Sequence, residues 1–186
     1  MSEIRTFIAI PLPEKVKKEL GRVKELLDPF SDGVKWTDED NLHITMKFLG
    51  ETPDWMMEDV KKEFKRICSG IDSFEIQLQQ LGQFPKEGDP RILWAGLQKI
   101  PPVVYGLSDE FNAGYMALGF DDSGKKFAPH ITLARVKRRI HEDLIPSFYD
   151  IQIESLVFKI DKIVLYESTH KRGALKYVPI EEYSLK

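Results

Sequence analysis

From residue 43 to residue 50 the chain reads His43-Ile44-Thr45-Met46-Lys47-Phe48-Leu49-Gly50. Polar and apolar side chains alternate, the period of a strand that buries one face. The pattern predicts a strand from Leu42 to Leu49, ended by Gly50. His43, Thr45 and Lys47 are expected on one face, with Leu42, Ile44, Met46 and Phe48 turned to the core. Eighty-seven residues later His130-Ile131-Thr132-Leu133 repeats the pattern, again with the imidazole and hydroxyl opposite the apolar pair. The same offset carries Phe7-Ile8-Ala9-Ile10 onto Trp94-Ala95-Gly96-Leu97, and the helical segment around Val16 to Leu27 onto the neighbourhood of 103–114. Each copy is therefore a strand, a helix opened by proline, and a later strand bearing His-x-Thr. One bilobal domain, 1–186, is expected, its lobes related by an approximate two-fold axis that would bring equivalent strands face to face.

The remaining elements fall around these anchors. Ile4 to Ile10 predicts a strand closed by Pro11 and Pro13, and Val16, Leu20, Val23 and Leu27 recur at helical spacing. A short strand is expected through Val34 and Trp36. Pro53 opens a helix with Met57, Val60, Phe64 and Ile67 on one face. Strands are predicted over Phe74 to Leu81 and Ile92 to Leu97, and a helix after Pro101-Pro102 uses Val104, Leu107, Phe111 and Tyr115. Ile131 to Val136, part of Ile153 to Leu165, and Lys176 to Pro179 read as strands, with a short helix near Glu142 to Phe148.

Composition narrows the function class. The chain has 186 residues, 42% hydrophobic and 31% charged, enough apolar material for a real core and too much for a disordered protein. Twenty-seven Lys and Arg against 30 Asp and Glu leave a net charge of −3, so a nucleic-acid site would have to be local. Cys68 is the single cysteine, which rules out an intramolecular disulfide and a cysteine-based metal cluster and fits a reducing compartment. No run approaches the roughly 20 apolar residues of a membrane helix, and the first 15 residues lack the apolar stretch of a signal peptide. A cytoplasmic protein without a membrane partner is expected.

Two imidazoles flanking a small substrate suit paired general acid and base catalysis. Near neutral pH histidine populates both protonation states, so one ring takes a proton from the attacking group while the other gives one to the leaving group. The threonines two residues on, about 6–7 Å along the same face, can donate to the oxygens of a tetrahedral anion such as phosphate. A carbonyl or carboxylate should fix each tautomer. Zinc is a weaker reading, since threonine is a poor ligand and no His/Cys/Asp cluster has the usual spacing. Neither a nucleophile elbow nor a Gly-rich phosphate-binding loop with its Lys-Ser/Thr is present.

Together with Phe127-Ala128-Pro129-His130-Ile131-Thr132-Leu133-Ala134-Arg135, the 43–50 segment resembles the paired signature motifs of the two-histidine phosphoesterase superfamily. Within it the chain is most similar to the RNA 2′,3′-cyclic phosphodiesterases, also called 2′-5′ RNA ligases, of bacteria and archaea, and the likeness covers essentially its whole length. The resemblance implies an α/β (α+β) fold with two antiparallel sheets flanking a central cleft and helices outside. It implies hydrolysis of RNA 2′,3′-cyclic phosphate ends to 2′-phosphomonoesters without metal or cofactor, with 2′-5′ ligation as the reverse. His130 would be the base that activates water, His43 the acid that protonates the departing 3′ oxygen, and Thr45 and Thr132 the phosphate holders. Arg135 would neutralise phosphate charge, although strict alternation from His130 turns it to the core. The expected partner is RNA with a cyclic phosphate end, tRNA fragments among the candidates, bound by a monomer. The alternatives are a non-catalytic nucleotide- or RNA-binding module and a phosphodiesterase for small cyclic nucleotides.

Charge supplies a local clue. From Ser123 to Arg139 there is no acidic residue, while Lys125, Lys126, Arg135, Lys137, Arg138 and Arg139 are basic, a candidate track for RNA phosphates. His170, Lys171, Arg172 and Lys176 form a second candidate patch. Trp36, Phe48 and Phe127 are candidates for stacking on a base, with Phe48 assigned to the core by its parity. His141 and His170 are expected on the surface.

Overall fold

The computed structural model describes residues 2–122, 124, 126–171 and 173–186; Lys125 and Arg172 of the two basic stretches lie outside the described residues. Their elements run β1 (Glu3–Pro11), α1 (Glu14–Leu27), β2 (Val34–Trp36), β3 (His43–Pro53), α2 (Met57–Cys68), β4 (Phe74–Phe84), β5 (Ile92–Gln98), α3 (Pro102–Ala117), β6 (His130–Val136), α4 (Leu144–Asp150), β7 (Val157–Ile160), β8 (Lys162–Lys171) and β9 (Ala174–Ser184). The helices follow from local chemistry. Pro101 and Pro102 open α3, where a missing N–H costs nothing because the first helical N–H groups have no partner. In α2, Glu58 and Asp59 sit in the first turn and Lys65 and Arg66 in the last, each matched to the helix dipole. Val16, Leu20, Val23 and Leu27 of α1 and Val60, Phe64 and Ile67 of α2 are buried along one stripe each. Among the described residues no helix is long and apolar enough to cross a membrane.

All strands join one antiparallel sheet ordered β7-β4-β5-β6-β3-β1-β8-β9, with β2 beside β6. The two expected sheets are its halves, β7-β4-β5-β6 and β3-β1-β8-β9, which meet through the single registered pair Ile44 and Ile131. The equivalent strands β3 and β6 therefore lie side by side and not face to face, with β5 and β1 one strand further out on either side. Ile44 and Ile131 are both buried, each burial contributing about 1.5–3 kcal/mol to the fold. Carried 87 positions, β4 falls on 161–171, where β8 stands. Yet β4 pairs with β5, and β8 pairs with β1. Each of these two strands thus completes the sheet half of the other copy, so neither copy contains a whole half by itself.

Helices α1 and α4 lie together, with Lys15 of α1 donating to the Val157 carbonyl of β7 (2.5 Å). Helices α2 and α3 pack together against β3, β8 and β9. One face of the sheet is thereby covered and holds the core: Ile8, Ile10, Ile44, Leu93, Ala95 and Ile131 are all buried in it. Tyr115 is fully buried in α3 because its hydroxyl donates to the Val60 carbonyl (2.9 Å).

Register changes revise the expected alternation. Opposite β1, Thr45 pairs with Ala9 and Lys47 with Ile8, leaving Met46 as an extra residue; Leu49 is a second extra residue, between Phe48 and Gly50. A one-residue bulge reverses the facing of everything beyond it. Lys47 is consequently turned to the helix side and is only 6% exposed, while Phe48 is turned to the open side and is 60% exposed; both expectations for these residues were inverted. Lys47 is tolerated there because its Nζ donates to Asn112 Oδ1 (2.5 Å) and to the Asp121 carbonyl (2.8 Å). Gly50 does not end the strand: at φ +78° it carries β3 past the second bulge to Pro53.

Candidate active site

His43 and Thr45 come from β3, His130 and Thr132 from β6, and all four occupy the open face of the sheet. Extending the Ile44–Ile131 register by one residue each way sets His43 across from Thr132 and Thr45 across from His130. Each imidazole thus stands beside the hydroxyl of the other copy as well as its own.

The rings are oriented alike. His43 Nδ1 donates to the Asn41 carbonyl and His130 Nδ1 to the Ala128 carbonyl, both at 2.7 Å and both two residues upstream. Since a carbonyl only accepts, each Nδ1 carries the proton and Nε2 is left for chemistry. The expected tautomer-fixing groups are therefore backbone carbonyls, which no side-chain pattern could reveal. Asn41 is itself buried and held by its amide, which donates to the Leu175 carbonyl of β9 (2.9 Å).

Their surroundings differ. His43 Nε2 accepts from the Thr45 hydroxyl (2.9 Å), a bond without counterpart between His130 and Thr132 among the described residues. Phe7 lies 5.1 Å from the His43 ring and Tyr177 of β9 meets it edge-on at 5.2 Å. His130 is flanked by Phe84 at 5.3 Å and Trp94 at 6.5 Å. Burial holds His43 below the usual histidine range, opposed by the Asn41 carbonyl and reinforced by the nearby charges of His130 and Arg135. Burial likewise raises the Tyr177 hydroxyl, against the pull of Arg135 and Arg5.

Arg135 reaches the open face by the device that moves Phe48. Thr132 pairs with Trp94 and Ala134 with Leu93, so Leu133 is an extra residue and the parity flips before Arg135. The objection from strict alternation is thus removed. Arg135 is exposed on the face of His130, 87 residues after Phe48, and Leu133 stands 87 after Met46. Directly opposite Arg135 across the β2–β6 pair is Lys35, also exposed. Two like charges facing each other repel, and among the described residues neither has an ion-pair partner, so the pair favours an anion.

The other candidates are redistributed. Trp36 pairs with Ala134, on the helix side of the sheet, and its indole N–H donates to Ser31 Oγ (2.7 Å), so it does not face the cleft. Phe127 is half-buried and edge-on to Tyr105 of α3. Arg138 is paired with Asp32, which takes one cation out of the basic stretch. His141 and His170 are exposed. Sequence reasoning missed Lys35, which only register brings to Arg135, and Tyr177, which lies on a late strand. Trp94 was within reach, being the repeat mate of Phe7. Among the described residues no three His, Cys, Asp or Glu side chains converge as a metal's donor set.

Known proteins agree with this architecture. Residues 10–94 and 98–176 match the family model described as LigT like Phosphoesterase. A Thermotoga maritima protein named RNA 2′,3′-cyclic phosphodiesterase is 32% identical over 171 residues, covering 89% of this chain and 87% of its own. One of the same name from Methanocaldococcus jannaschii is 30% identical over 184 residues, covering 97% of this chain and all (100%) of its own. Among solved structures, a Thermus thermophilus protein superposes with a TM-score of 0.84 at 29% identity, covering 98% of both chains. Escherichia coli LigT complexed with 3′-AMP gives 0.81 at 23% identity, covering 99% of both, a likeness of fold. With the family match spanning most of its length and its two His-x-Thr strands meeting at the sheet junction, this chain belongs to the LigT-like phosphoesterase family.

Proposed function

We propose that the protein hydrolyses RNA 2′,3′-cyclic phosphate ends to 2′-phosphomonoesters, using its two histidines as acid and base, without a metal ion. The observation that carries this reading is the placement of His43 and His130 on one open face, astride the Ile44–Ile131 pair, each with Nδ1 committed to a carbonyl. The curated relatives bearing the name RNA 2′,3′-cyclic phosphodiesterase support the substrate class.

In the proposed step, water attacks phosphorus as His130 Nε2 takes its proton, and the bond from phosphorus to the 3′ oxygen breaks as His43 gives that oxygen a proton. The products are a 2′-phosphate and a free 3′-hydroxyl, and exchange with solvent resets both rings. Burial disfavours the proton on His43 in the free protein, and the ring needs that proton before it can act. The anionic phosphate supplies the means, since a negative charge beside the ring favours imidazolium. Thr45 then turns its hydroxyl from His43 to the phosphate, and Thr132 and Arg135 hold the remaining oxygens. A 5′-hydroxyl in place of water would form a 2′-5′ bond at the same site. One bilobal domain acting as a monomer on RNA ends, including those of tRNA fragments, fits the reading.

The test is turnover of an oligonucleotide ending in a 2′,3′-cyclic phosphate, with and without chelator, for wild type and the two His→Ala variants. Undiminished hydrolysis in chelator, abolished by either substitution, is expected. Activity lost with chelator and restored by a divalent ion defeats the mechanism. Tight mononucleotide binding without turnover favours a binding module.

A further inference from the structure

A groove of about 490 Å³ lies beside the site, in the range of ligand pockets. Its walls are Gln79, Gln80 and Gln83 of β4, with Trp94, Tyr149 and Lys86 around them. No carboxylate lines it among the described residues, and Lys86 is its single charge. Trp94 belongs to both places: its ring lines the groove and stands 6.5 Å from that of His130. The ring is fixed there because it lies over Gly82 and Gly96; a Cβ at Gly82 would collide with it. The groove therefore begins one side chain away from the proposed base.

Its chemistry is specific. Glutamine amides offer a donor and an acceptor together, the pattern that reads a base edge, and exposed Tyr149 offers a ring to stack on. Two polar atoms among the lining side chains, Gln83 Oε1 and Trp94 Nε1, are buried with no hydrogen-bond partner among the described residues. The other end of the Gln83 amide is already spent on the Pro85 and Gly88 carbonyls, both at 3.2 Å, so the free end is an acceptor. Unsatisfied buried groups are rare in folded proteins, and two of the three among the described residues belong to this groove, the third being Gln77 Oε1 further along β4.

We propose that this groove binds the nucleotide preceding the cyclic-phosphate terminus, its base held by Gln79, Gln80 and Tyr149 and its phosphate by Lys86. This rests on the RNA-end reading above and makes the enzyme one for strands, with mononucleotides as poor substrates.

The test compares kcat/KM for a mononucleoside 2′,3′-cyclic phosphate and a dinucleotide bearing the same terminus, in wild type and in a Gln80→Ala/Lys86→Ala variant. Both side chains are exposed, so the fold should tolerate their loss. Wild type should prefer the dinucleotide by about tenfold or more, and the variant should lose that preference while mononucleotide turnover stays unchanged. Equal wild-type turnover of the two substrates, or a variant that retains the preference or slows both equally, overturns the groove alone. Turnover of neither substrate by wild type overturns the groove and the active-site reading together.

Discussion

The two His-x-Thr strands share a backbone and differ in what surrounds it. Both copies place an imidazole on the open face, fix its tautomer with a carbonyl two residues upstream, and follow the threonine with a one-residue bulge. Beyond the bulge they diverge, one presenting Phe48 and the other Arg135. The first histidine is closed in by Phe7, Tyr177 and the Thr45 hydroxyl, whereas the second makes no bond to its own threonine among the described residues. Duplication supplies two equivalent rings; acid and base need different ones. The framework thus sets the position of both rings, and the unequal shells give them different surroundings.

Several substitutions probe that inequality. His43→Ala and His130→Ala should each lower kcat by roughly 10²- to 10⁴-fold, the usual worth of a general acid or base, with far-UV circular dichroism unchanged; a variant retaining a tenth of the activity would remove its ring from the chemistry. Arg135→Gln should cost about 1.5–3 kcal/mol of charged hydrogen bonding, read as roughly 10- to 100-fold in kcat/KM. It should also move a pH limb. If His43 is the acid, activity falls as pH rises through its lowered pKa, and losing the Arg135 charge lets that pKa rise, shifting the alkaline limb of kcat/KM to higher pH. Movement of the acid limb instead would exchange the two roles.

Smaller effects are expected away from the rings. Lys47→Met leaves Asn112 Oδ1 and the Asp121 carbonyl without their donor, a loss of about 1–3 kcal/mol in unfolding free energy, measured by denaturant titration; no change would mean that the buried amine is not a structural tie. Phe48→Ala should raise KM for RNA by roughly fivefold with kcat unchanged, about 1 kcal/mol of stacking. A loss as large as that of Arg135→Gln would show the two post-bulge positions to be less different than their chemistry suggests.

Much of this was legible in the residues. Val16 to Leu27 and Val104 to Tyr115 sit at helical spacing, and each became a helix buried along that stripe. His43, Thr45, His130 and Thr132 were separated from the apolar set by alternation alone. Alternation failed where the count of residues on neighbouring strands differs by one. Met46 and Leu133 are ordinary apolar residues, and nothing in their side chains announces a bulge, so Phe48, Lys47 and Arg135 were all faced wrongly by parity. Pairing between distant strands was equally hidden. Lys35 meets Arg135, and Tyr177 meets His43, across about 100 or more residues of chain, and the exchange of β4 and β8 between sheet halves depends on packing that no local pattern encodes.

The two rings are proposed to open a cyclic phosphate by passing protons between water and the 3′ oxygen. Hydrolysis of an RNA 2′,3′-cyclic phosphate end in oxygen-18-labelled water, followed by phosphorus NMR of the product, tests it most directly. The expected product is a 2′-phosphomonoester carrying one labelled oxygen, formed by wild type and at most about a hundredth as fast by either histidine variant. A 3′-phosphate, or a product without label, would contradict it.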